Sequence, residues 1–81
     1  MSPERTQQQI EQMVANLFDV DITQVSLASS PTTIEKWDSM GHLMLVMEIE
    51  QEFNIQLLPE QVEQMTSIAT IVQIIDQLEV A

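Results

Sequence analysis

Cysteine is absent from this chain of 81 residues, so no disulfide staples it and no thiolate is on hand as a metal ligand or nucleophile. Any reactive thiol has to be imported. A cysteine-free composition suits a reducing compartment, and the cytoplasm is the expected location. Cations are nearly absent too: two Lys and Arg against 13 Asp and Glu give a formal net charge of −11. That field repels phosphate backbones, which argues against nucleic acid, and attracts basic protein surfaces. No apolar run approaches the roughly 20 residues of a membrane span, so no membrane partner is expected. The opening Met1-Ser2-Pro3-Glu4-Arg5 lacks the basic and apolar regions of a signal peptide. A single His and scattered acids match no metal-ligand spacing, and a calcium loop is missing.

What is present is enough apolar material for one core. Hydrophobic residues make up 44% of the chain and the acids are dispersed rather than gathered in a tail, so the expectation is a folded acidic domain spanning 1–81, a monomer. Ser2 is placed to cap a first helix with Pro3 at its first position, and Ile10, Met13, Val14 and Leu17 follow at i, i+3, i+4 and i+7. From about Asp19 to Trp37 the periodicity fails, with a short turn expected near Ile22 to Val25. Val20, Ile22, Val25, Leu27, Ile34 and Trp37 are expected to pin this long connection over the bundle.

A second helix is expected from Ser39 to Phe53 or Asn54, with Leu45, Val46, Ile49 and Phe53 facing inward. Met40, Met44 and Met47 lie on another face with Leu43 at its edge, and Glu48, Glu50 and Glu52 frame them. Such a stripe serves either as further core or, because Met is unbranched and polarizable, as an adaptable binding surface with an acidic rim. Pro59 opens a short third helix reaching about Met65, with Val62 and Met65 as its inward residues. Thr66 or Ser67 then caps a fourth helix carrying Ile68, Ile71, Val72, Ile75 and Leu78 on one stripe. No useful strand-period run occurs. The expected fold class is all-α, a four-helix bundle with a short third helix and a long first loop.

Chemistry enters at Asp38-Ser39-Met40, which sets a small hydroxyl at the start of the second helix. Unpaired amide hydrogens and the positive end of the dipole favour an anion there, so a phosphodiester on Ser39 needs no dedicated Lys or Arg. The plainer alternative is that Asp38 or Ser39 is only a helix cap. His42 lacks a third orienting residue or an oxyanion motif, and reads as a packed or edge residue rather than a catalytic base. Trp37 reads as a hydrophobic plug at the loop end. No segment holds a base, a nucleophile and an electrostatic stabiliser together, so the chain is not expected to be an enzyme.

Through Asp38-Ser39-Met40 and the following Leu43-Met44-Leu45-Val46-Met47-Glu48-Ile49-Glu50-Gln51-Glu52-Phe53, nearly the whole chain resembles the acyl carrier protein family, including peptidyl and aminoacyl carrier domains. The resemblance implies a 4′-phosphopantetheine arm on Ser39, installed from coenzyme A by a phosphopantetheinyl transferase, whose thiol bears cargo as a thioester. Asp38 would orient the loop or assist the transferase complex and its metal. Met40, Met44 and Met47, with Glu48 and Glu50, match the surface on which carriers meet acyl-activating or acyl-transferring enzymes with basic docking surfaces. Gly41, His42 and Met44 stand where carriers of primary fatty acid synthesis tend to be polar or acidic. Trp37 directly before Asp38-Ser39, and Gly41-His42 after Met40, look more like discrete carriers of specialised biosynthetic pathways. The competing reading is an acidic helical adaptor that binds partners non-covalently through the Met stripe, with Ser39 a cap.

Overall fold

The structure, a computed structural model, describes residues 3–80, with side chains for 4–78. Four helices follow one another: α1 (Pro3–Phe18), α2 (Ser39–Phe53), α3 (Pro59–Gln64) and α4 (Ile68–Val80). One 3-10 turn, Ile22–Gln24, interrupts the long first connection, and no strand occurs among the described residues. This is the expected all-α architecture. The cap expected at Ser2 lies outside the described residues.

The apolar stripes explain the packing. Ile10 and Val14 of α1, Leu45 and Ile49 of α2, and Ile68, Ile71 and Ile75 of α4 are all 0% exposed. Each fully buried aliphatic side chain contributes roughly 1.5–3 kcal/mol of transfer free energy, enough for α1 to hold α2 and α4 against itself. Phe18 and Ile74 join this core, while Leu17, Phe53 and Leu78 pack half-buried at its edges. The third helix differs. It has six residues and buries none of its own side chains, so it depends on Met65, the deeply buried residue that ends it, and on α4.

Two helix ends need left-handed backbone, and with the chain's one glycine placed elsewhere, polar residues take it. Asp19 and Asn54 both have φ of 54°. Val20 N–H then reaches back to the Ala15 carbonyl at 3.0 Å, and Ile55 N–H to that of Glu50 at 3.1 Å, closing α1 and α2. At the start of α4, Ser67 Oγ accepts from Thr70 N–H at 3.3 Å while Thr70 Oγ1 accepts from Ser67 N–H at 3.0 Å. Ser67 is therefore the cap.

The long connection is stitched to the bundle by both side chains and backbone. Val25, Ile34 and Trp37 are buried and Val20 is half-buried, but Ile22 and Leu27 are 44% and 42% exposed and do not act as anchors. Backbone bonds do their work instead. Asp21 caps the 3-10 turn and holds Ile22 in its first position, facing outward. The Leu27 and Ser29 carbonyls accept from the first amides of α4, Ala69 at 3.1 Å and Ile68 at 3.0 Å, satisfying donors that a helix start leaves open.

Candidate functional site

The start of α2 separates two jobs that its sequence left together. Asp38 is the cap: its backbone is extended, with φ −93° and ψ −169°, and its Oδ1 accepts from Gly41 N–H at 2.8 Å. Ser39 is the first residue inside the helix. Its side chain is exposed and its hydroxyl makes no hydrogen bond among the described residues. Ser39 as the helix cap is thus corrected, because the preceding carboxylate already fills that role. The Ser39 and Met40 amides, at the first helical positions, have no intrahelical acceptor and point along the positive end of the dipole.

Gly41 allows this turn to sit so close to the rest of the molecule. A Cβ there would run into the Lys36 carbonyl oxygen and come within 2.8 Å of the Phe18 ring. The missing side chain brings the first turn of α2 down onto the last turn of α1. Phe18 in turn lies against Trp37, ring centroids 5.7 Å apart and planes 21° from parallel.

On the other side of Ser39 lies an open groove of about 830 Å³. Trp37, Leu43, Val62 and Met65 give it an apolar floor and wall, and Ser30, Thr32, Glu63 and Thr66 a polar edge. Trp37, 1% exposed, donates its indole N–H to Nδ1 of His42 at 2.9 Å. An indole nitrogen can only donate, so Nδ1 must accept, and the proton of the neutral ring resides on Nε2. That Nε2–H donates to the Val62 carbonyl at 3.0 Å. His42 therefore joins the loop, α2 and α3.

The Met stripe is turned outward: Met40, Met44 and Met47 are 73%, 49% and 67% exposed, and Leu43 is 59% exposed. Glu48 is half-buried beside it. Glu50, also half-buried, accepts from Leu57 N–H at 2.9 Å and braces the connection from α2 to α3. Ser39, Asp38 and Met40 come together at one helix end, whereas Glu48 and Glu50 lie two to three turns away. Three relationships escaped the sequence reading: the His42 bridge, the close approach over Gly41, and the Glu50 brace. Only the first had a visible signal, a Trp and a His five residues apart around a helix start.

No family model matches the chain. Among curated proteins it is similar to the acyl carrier protein of Clostridium acetobutylicum, 26% identical over 68 residues that cover 84% of this chain and 88% of that protein.

Proposed function

We propose that this chain is an acyl carrier protein that takes a 4′-phosphopantetheine arm on Ser39 Oγ and presents acyl or aminoacyl cargo to partner enzymes. The observation that carries this reading is the exposed Ser39 hydroxyl, released from capping by Asp38 and set beside two open amides and a groove. The similarity to an acyl carrier protein along most of the chain supports it. The residues fit the group. A phosphodiester at Ser39 would meet the Ser39 and Met40 amides, and the arm would have the groove between the loop and α3 to lie in. When bound, the group supplies the thiol that a cysteine-free chain lacks, on which an acyl group is carried as a thioester.

The chain's own residues then bind and present; they do not catalyse. Asp38 holds the first turn of α2 in place and leaves Ser39 open to a phosphopantetheinyl transferase using coenzyme A. Met40, Met44 and Met47 offer an adaptable apolar surface to client enzymes with basic faces, and Glu48 supplies negative charge beside it. Acyl-activating and acyl-transferring enzymes of a specialised biosynthetic pathway are the expected clients, met in the cytoplasm by a monomer.

Intact-protein mass spectrometry after incubation with coenzyme A and a broad-specificity phosphopantetheinyl transferase tests the reading. One pantetheinyl increment, lost in Ser39→Ala, is the expected result. No increment with several transferases would favour the second reading, an adaptor that uses the exposed Met40, Met44 and Met47 for non-covalent binding.

A further inference from the structure

The groove beside Ser39 ends on a floor. Trp37 and Met65, 1% and 2% exposed, form it, and they belong to the same apolar core as Leu45, Ile68 and Ile71, which are 0% exposed and do not line the groove. The seam between α2 and α3 is where that floor could part, since α3 has no fully buried side chain and sets only the half-buried Val62 against the core. Across it runs the His42 imidazole, accepting from Trp37 on one side and donating to the Val62 carbonyl on the other. The closure is a polar tie between two elements, supported by the aromatic contact of Trp37 with Phe18. Hydrogen bonds of this kind are directional, so they either hold the seam shut or release it.

We infer that His42 is a specificity-determining residue of the carrier: by bolting α3 to Trp37 it confines cargo to the surface groove and closes the bundle interior to long apolar chains. This inference rests on the carrier reading of Ser39. The cargo class that suits the closed groove is a short acyl or aminoacyl group. The wall is mostly apolar, from Pro31, Trp37, Leu43, Val62 and Met65, and the hydroxyls of Ser30, Thr32 and Thr66 with the carboxylate of Glu63 bound it, so it takes a short apolar group without an entry to the core. A long alkyl chain tethered at Ser39 would gain by leaving water for the core, and His42 is what stands in its way.

The test bypasses the transferase. The chain has no cysteine, so Ser39→Cys supplies a unique thiol that N-ethylmaleimide and N-dodecylmaleimide label at one position. Thermal unfolding of the two adducts is compared with His42 intact and in His42→Ala. The single tryptophan gives one indole N–H resonance, which reports on the tie directly. With His42 intact, the dodecyl adduct gains only what the apolar wall of the surface groove offers. In His42→Ala the difference in melting temperature between the dodecyl and ethyl adducts should widen by about 4 °C or more, as burial of a few further methylenes demands in a domain this small. A difference that is the same with His42 intact and in His42→Ala would overturn the inference. His42→Asn keeps an acceptor near Trp37 and cannot reach Val62, so it serves if His42→Ala does not fold. Absence of a pantetheinyl increment on Ser39 would sink the carrier reading and leave these melting results standing, which separates the two failures.

Discussion

Trp37 and His42 share a hydrogen bond of 2.9 Å with their ring planes 19° from parallel, so the indole N–H of a side chain only 1% exposed depends on one imidazole nitrogen. Removing that acceptor strands a buried donor. His42→Ala should lower stability by about 1–3 kcal/mol, read from urea midpoints, and should shift the indole N–H resonance. A loss below about 0.5 kcal/mol with an unmoved resonance would show that another group satisfies Trp37.

Gly41→Ala should destabilise the chain by about 1–3 kcal/mol or more, because the added methyl meets the Lys36 carbonyl and the Phe18 ring at once. The Lys36 carbonyl is backbone and cannot rotate aside, so α2 has to lift from α1 or the loop has to shift. Circular dichroism during thermal unfolding measures it. An unchanged melting temperature would mean that the contact between α1 and the first turn of α2 is looser than described.

Periodicity made the helices legible, since Ile10, Val14, Ile71 and Ile75 repeat at helical spacing and all end at 0% exposure. The same logic exposed a surplus of apolar surface on α2, and Met40, Met44 and Met47 do face solvent. In the long connection it broke down. Val25 and Leu27 look equivalent in a list of apolar loop residues, yet Val25 is buried and Leu27 is held by its carbonyl, which accepts from Ala69. Backbone hydrogen bonds carry no residue signature, so such stitching is invisible until the chain is folded. At the site, Asp38 and Ser39 are both good caps by type, and only backbone geometry assigns the cap to Asp38 and leaves Ser39 open.

The division between those two residues predicts opposite behaviour. Ser39→Ala should change stability by no more than about 0.5 kcal/mol, because the exposed hydroxyl has no partner to lose among the described residues. Asp38→Ala should cost about 1 kcal/mol, since Gly41 N–H loses its acceptor. Chemical denaturation of both variants checks the pair. If Ser39→Ala were the more costly, the hydroxyl would have a structural duty and the cap assignment would be wrong.

Acid should weaken the long connection at a defined place. The backbone N–H of Thr23, at 3.0 Å, and then its hydroxyl, at 2.9 Å, hold the Asp21 carboxyl below its ordinary value of 3.8. A carboxyl lowered by folding stabilises the native state above that ordinary value, and the contribution fades as pH falls from 3.8 through the lowered one. Urea midpoints of the native chain and Asp21→Asn should therefore converge as pH drops below 3.8. Parallel curves across that range would show that the Thr23 contacts do not persist in solution.

Glu48 and Glu50 sit on the same helix but should answer charge reversal differently. Glu50 is half-buried and braces Leu57, so Glu50→Lys should cost about 1–3 kcal/mol by leaving that amide without its charged acceptor. Any effect of this variant on client binding would then mix unfolding with docking. Glu48 makes no such bond among the described residues, so Glu48→Lys should keep the melting temperature and act on association alone. If α2 docks a basic client, stopped-flow association should slow several-fold at low salt, with the gap closing once added salt shortens the screening length. An association rate indifferent to Glu48→Lys at low ionic strength would remove the acidic rim from the docking surface and leave Met40, Met44 and Met47 to carry recognition by apolar contact.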